Sequence, residues 1–229
     1  MGETSLSPDD LLDFWTACGL PPQRWPEARR AYQRFGELIA AEQHVSLMGP
    51  QAQRTFFTKH VADSLAGLIA LPRLLAGPVR LADVGSGAGL PAIVLAIALP
   101  ELHAAAIESH LKKADFLASA ARELGLGERF EVIPRHSREA ARDERYAHRF
   151  DVVAARAVGP ACRLVHDCRL LLAPGGTGLL YKTPVGVAQE LELAQREAGK
   201  HGMDVRTSPI IRLPGAAGDR QFILVTAPA

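Results

Sequence analysis

Three glycines at alternate positions, Gly85, Gly87 and Gly89, follow the short apolar run Leu81-Ala82-Asp83-Val84. Glycine accepts positive φ and carries no Cβ. This spacing therefore suits a place where backbone turns tightly and closes on a ligand. Leu90-Pro91 ends the loop, and Glu108 stands about 20 residues beyond it, the separation at which a carboxylate meets ribose hydroxyls. A carboxylate can accept both hydrogen bonds of a diol. It repels a 2′-phosphate, which disfavours NADP. Arg156 follows the apolar run Phe150–Ala155, and Lys182 ends another, Gly178–Lys182. A cation at the mouth of a buried strand is costly unless it meets an anion or a carbonyl edge. Each is a candidate to hold a substrate; for Arg156 the plain structural use is pairing with Asp151 or another nearby carboxylate.

The identity of Leu90 narrows the ligand. A dinucleotide fingerprint needs its third glycine there, so that a helix N-terminus can meet a pyrophosphate. Leu90-Pro91 removes that option, and no histidine or tyrosine pair suited to hydride transfer stands out. A nucleoside without phosphates needs the close backbone approach but not the anion site. S-adenosylmethionine (SAM) is such a ligand.

The elements that must position these residues follow from the periodicity. Strands are expected at Arg80–Val84, His103–Glu108, Phe130–Ile133, Phe150–Ala155, Gly178–Lys182 and Phe222–Thr226. Helical patterns lie between or after them at Leu90–Ala98, Leu111–Leu124, Arg138–Ala147, Pro160–Leu172 and Val187–His201. Short apolar strands alternating with helices predict an α/β fold with a mostly parallel central sheet covered on both faces. The last strand lacks a crossover helix just before it and is expected to be an antiparallel edge strand. Ligands then bind beyond the carboxyl ends of the strands, which is where the residues above fall. Residues 1–78 read as a helical extension and residues 79–229 as the ligand-binding core. Ser7-Pro8-Asp9-Asp10 predicts a helix start, a second helix runs from about Pro26 with Tyr32, Phe35, Leu38 and Ile39 on one face, and a third spans about 51–71. The arginine-rich stretch 135–149 carries Glu139, Asp143 and Glu144 and reads as a solvated face of ion pairs.

Composition sets outer limits. The formal net charge is +1 over 229 residues, so any affinity for nucleic acid must come from local patches. The three cysteines, Cys18, Cys162 and Cys168, fit a reducing cytoplasm. Cys162, His166 and Cys168 do not converge on one ion from a helix, and no metal is expected. No targeting segment is read at the start, and the longest apolar run, Leu90 to Leu99, is too short to span a bilayer. A soluble cytoplasmic monomer is the expectation.

Taken together, the motifs resemble the bacterial ribosomal RNA small subunit methyltransferase G family, also called glucose-inhibited division protein B. The resemblance covers about residues 33–226. It rests on Lys59-His60-Val61-Ala62-Asp63-Ser64-Leu65, Asp83-Val84-Gly85-Ser86-Gly87-Ala88-Gly89-Leu90-Pro91, Ala155-Arg156-Ala157 and Gly218-Asp219-Arg220-Gln221-Phe222. It implies a Rossmann-like class I SAM-dependent methyltransferase with an N-terminal helical extension. It also implies methyl transfer to N7 of a guanine in 16S ribosomal RNA of the small subunit. By matching positions, SAM contacts fall on Gly85, Leu90, Ser137, Arg138 and Arg156, with Gly87, Gly89 and Glu108 joining them from the loop reading. The chain departs from the family at His44-Val45-Ser46 and Tyr181-Lys182-Thr183.

The chemistry after the fourth strand is compatible with that acceptor. Methyltransferases for exocyclic amines resemble one another in an Asn/Asp-Pro-Pro-aromatic motif there, whereas this chain has Ala154-Ala155-Arg156-Ala157. Guanine N7 has a free lone pair and no proton, so positioning can supply the catalysis without a base. Its O6 accepts from arginine or lysine. Arg156, Lys182 and Arg220 are the candidate catalytic residues. RNA contact is expected from Arg29, Arg30, Arg34, Arg54, Lys59, Lys112 and Lys113, with a folded ribosomal particle preferred over naked RNA. The rival readings are a SAM-dependent methyltransferase for a small molecule and a nucleotide-binding protein or NAD enzyme.

Overall fold

The computed structural model describes residues 11–49, 52–53, 55–215 and 217–229. The expected helix start at Ser7-Pro8-Asp9-Asp10, and Gln51 and Arg54, lie outside these residues.

Eight strands form the centre: β1 (Val79–Val84), β2 (Leu102–Ile107), β3 (Phe130–Ile133), β4 (Phe150–Arg156), β5 (Leu172–Lys182), β6 (Asp204–Thr207), β7 (Ile211–Arg212) and β8 (Asp219–Thr226). Their order is β3-β2-β1-β4-β5-β8-β6, with the two-residue β7 paired to β8. The first five are parallel, while β8 runs antiparallel to β5, β6 and β7. Strand order reverses between β1 and β4, which opens a crevice at their carboxyl ends.

The pleat sorts side chains onto two faces with period two. Leu81, Leu179 and Phe222 join one apolar cluster, and Ala82, Leu180 and Ile223 join the other. The first cluster is covered by helices α1 (Leu12–Ala17), α2 (Trp25–Ala41), α3 (Ala62–Ala70), α4 (Ala92–Ala98) and α5 (Leu111–Glu123). On the other side lie the short α6 (Ser137–Ala140), α7 (Ala161–Leu171) and α8 (Pro184–Gly199). Every residue of α4 is buried, because it is apolar all round and lies between the sheet and the N-terminal helices. The N-terminal segment docks on it through hydrogen bonds to carbonyls of α4, one of them at its open C-terminal end. Tyr32 donates its hydroxyl to Val94 O at 3.1 Å, and Arg24 Nη1 donates to Ala98 O at 2.9 Å. Trp15, Trp25 and Tyr32 pack their rings together with centroids 5.3–6.5 Å apart.

Several expected elements are corrected. The helix expected at Arg138–Ala147 stops at Ala140, because the Asp143 carboxylate accepts the Arg145 N–H at 3.1 Å and its guanidinium at 2.6 Å. The ion pairs of this stretch therefore sit on turns. The third helix is not uniform: Phe56–Val61 is a π-helical turn that feeds α3. The last strand is not at the edge, since β6, which has weak apolar alternation, pairs on its far side. Residue Leu90 precedes its helix instead of opening it.

Candidate active site

The glycine loop joins β1 to α4 at the carboxyl end of the sheet. Gly85 and Gly89 have φ of +68° and +92°. A Cβ at Gly85 would stand 2.8 Å from Val158, and one at Gly89 would stand 2.6 Å from Ile93, so both positions exclude a side chain twice over. Asp83 holds the loop from beneath. Its Oδ2 accepts the Ser86 hydroxyl at 2.6 Å and the Ala92 N–H at 3.3 Å, while Oδ1 is buried with no partner among the described residues. Burial pushes the Asp83 carboxyl up to about 7.

Glu108 follows β2 and faces this loop. The N–H of Gly87 donates to Oε2 at 2.9 Å, and that of His110 donates to Oε1 at 2.8 Å. Each oxygen keeps a lone pair, so a diol can still be accepted by both. A cavity of about 200 Å³ opens beside it, lined by Gly85, Ile107, Ser109, Ser137, Val158 and Asp167 among others. The Ser137 hydroxyl donates to Asp167 Oδ1 at 2.7 Å. The residues suit SAM: backbone that admits close approach, a carboxylate for a diol, and a mixed polar and apolar wall. Of the expected SAM residues, Gly85 and Ser137 line this cavity. Leu90 is buried and Arg138 is exposed, and neither lines it; nor do Gly87, Gly89, Glu108 or Arg156. Two larger hollows, of about 490 and 390 Å³, lie between α2 and α5 and around His148 and His201, and neither includes the glycine loop.

The three candidate catalytic cations divide into two groups. Arg156 and Arg220 converge on one carboxylate, Asp63 of α3, which is 3% exposed. Arg156 Nη1 reaches Asp63 Oδ2 at 2.9 Å; Arg220 reaches Oδ2 through Nη2 at 2.9 Å and Oδ1 through Nε at 2.5 Å. Burial raises the Asp63 carboxyl against the pull of both guanidinia. Arg156 Nη2 also lies 3.0 Å from His60 Nδ1. Burial and the neighbouring guanidinium lower the imidazole to about 4, so the ring is neutral and Nδ1 accepts. Asp151 is not the partner of Arg156. It binds the Arg80 N–H at 2.9 Å and Arg73 at 3.5 Å. Lys182 stands apart. Its ammonium donates to Gly159 O at 2.8 Å and to Glu190 at 2.8 and 3.0 Å, which occupies all three donors. Asp63 and Glu190 were not foreseen as partners. Asp63 and Arg220 each lie in a motif that carried the resemblance, Lys59–Leu65 and Gly218–Phe222, but nothing in the sequence paired them.

The model of a family described as rRNA small subunit methyltransferase G matches residues 28–217. The chain belongs to that family. Two relatives, each named ribosomal RNA small subunit methyltransferase G, extend the match beyond single motifs. The one from Limosilactobacillus fermentum is 35% identical over 94% of this chain and 86% of its own length. The one from Solibacter usitatus is 36% identical over 88% of this chain and 91% of its own. Among solved structures, a SAM-dependent O-methyltransferase from Thermotoga maritima is similar with a TM-score of 0.53 and 17% identity, covering 85% of this chain and 71% of that one. The [4+2]-cyclase SpnF is similar with a TM-score of 0.55 and 18% identity, covering 73% and 81%. These establish the Rossmann-like fold. The family is established by sequence, which matters because a cyclase shares the architecture.

For this methyltransferase G family member, the expected RNA-contact residues have mixed surroundings. Arg30, Lys59 and Lys112 are exposed. Arg34 is held by Glu37 at 3.1 Å and Glu123 at 2.6 Å. Among the described residues no helix is long and apolar enough to cross a membrane, and no group of His, Cys, Asp and Glu side chains could hold a metal.

Proposed function

We propose that the protein transfers a methyl group from SAM to N7 of a guanine in 16S ribosomal RNA of the small ribosomal subunit. The observation that carries this reading is the union of family membership with a glycine loop hydrogen-bonded to Glu108 at the sheet's switch point. SAM supplies a methyl carbon made electrophilic by its sulfonium. Glu108 would hold the ribose diol, and Gly85 would admit the ligand to the cavity that Ser137 lines. No side chain has to remove a proton, since N7 carries none. The work left to the chain is alignment, worth several kcal/mol of barrier, about 7 at the lower end of well-oriented reactions. Arg156 and Arg220 would receive the guanine edge through donors not spent on Asp63, with Lys182 at the same end of the sheet. The reading carries with it a cytoplasmic enzyme acting as a monomer.

The test supplies purified small subunits that lack the modification, labelled SAM and the protein, and maps the methyl groups by mass spectrometry. A single N7-methylguanine in 16S RNA is expected. Transfer only to a small metabolite would overturn the reading. The double variant Arg156→Ala with Lys182→Ala should lose transfer; wild-type rates with retained S-adenosylhomocysteine binding would remove both from the acceptor site.

A further inference from the structure

We infer that Asp63 is a positioning residue for methyl transfer: it fixes the guanidinia of Arg156 and Arg220 as one two-arginine receptor for the acceptor. This rests on the reading above. The residues are remote in sequence, on helix α3 and at the ends of β4 and β8, yet one carboxylate meets both arginines within 2.5–2.9 Å. Its charge balance is unlike that of a simple structural pair. Two guanidinia share one carboxylate, and the fourth member, His60, is neutral, so the cluster keeps one unbalanced positive charge. A buried carboxylate that only tied helix to sheet would need one cation, and apolar residues often do that task as well. Here Asp63 Oδ2 accepts one hydrogen bond from each arginine, Arg220 Nε lies 2.5 Å from Oδ1 as an ion-pair contact, and His60 takes another donor from Arg156. Each guanidinium has five donors, so each still has some to give. The side chains of Arg156 and Arg220 are 13% and 18% exposed, so those donors remain reachable from the strand ends. The chemistry that matches is a carbonyl oxygen with two lone pairs, such as guanine O6, which can accept from the arginines while N7 keeps the lone pair that attacks the methyl group. Preorganised donors of this kind cost no rearrangement when the acceptor arrives.

The test compares Asp63→Asn in two backgrounds, wild type and Arg220→Ala, by kcat/KM for unmodified small subunits. Each variant's melting and S-adenosylhomocysteine affinity are measured alongside. If Asp63 acts through the arginines, Asp63→Asn lowers kcat/KM at least tenfold alone but less than threefold once Arg220 is gone. Equal losses in both backgrounds, or no loss in either, would overturn the proposal. Should the Asn variant lose its cooperative melt, Asp63→Glu, which keeps the charge and displaces it by one methylene, is read by the same two ratios. Wild-type transfer to the subunit is the control. Its absence would retire the RNA reading, whereas transfer by wild type with equal ratios retires only the role of Asp63.

Discussion

The backbone N–H of Gly87 donates to the Glu108 carboxylate at 2.9 Å, tying the glycine loop after β1 to the end of β2. One carboxylate thus shapes the loop, and on the proposed reading it would also hold the ribose diol. Glu108→Gln keeps the size but removes the charge and one acceptor. Hydrogen bonds to charged groups are worth about 1.5–3 kcal/mol. S-adenosylhomocysteine affinity should therefore fall about tenfold to a hundredfold by calorimetry. Unchanged affinity would take Glu108 out of the site.

Gly89→Ala tests the loop geometry. The new Cβ would stand 2.6 Å from Ile93 and 3.0 Å from Leu117 at a φ of +92°. Strain of this kind costs about 1–3 kcal/mol. Denaturant unfolding should report that loss together with weakened cofactor binding. A variant of wild-type stability would show that α4 shifts freely, contrary to its complete burial.

Asp83 makes a prediction about pH. Its folded-state carboxyl titrates at about 7, against an ordinary 3.8, because burial disfavours the charge. The folded state therefore binds a proton more tightly than the unfolded chain. Stability falls as pH rises from about 4 through 7 and is flat beyond. The neutral Asp83→Asn variant lacks this slope. Its stability relative to wild type should improve between pH 5 and pH 8, with a ceiling of about 4 kcal/mol for a shift of this size. A difference that is constant across this range would contradict it.

Lys182 distinguishes wall from contact. Its ammonium grips Gly159 O and Glu190, and Glu190 also accepts the Ala161 N–H that opens α7. If these bonds hold the cavity wall, Lys182→Met lowers stability by about 1–3 kcal/mol and weakens S-adenosylhomocysteine several-fold. If Lys182 instead touches the guanine, KM for subunits rises while cofactor affinity stays put. Calorimetry beside steady-state kinetics separates the two.

Local order was legible in the sequence where periodicity and backbone chemistry agree. The alternating strands, the glycine loop at 85–89 and the position of Glu108 each follow from side-chain size, burial period or φ within a few residues. Leu90 likewise turned the ligand away from a pyrophosphate by its type alone. Three things were decided only in three dimensions. The edge of the sheet passed from β8 to β6 because pairing partners depend on hydrogen bonding between distant segments, and β6 has no buried face to announce it. The helix after Ser137 ended early where the Asp143 carboxylate took up the Arg145 N–H and guanidinium, local side-chain bonds that periodicity does not register. Above all, the partners of the cations came from tertiary structure. Sequence placed Arg156 and Lys182 at strand mouths, where a bare charge needs an anion. Which anion answers was fixed by packing α3 and α8 over those mouths, since a buried charge pairs with whatever carboxylate the fold brings within 3 Å, however far away it lies in the chain.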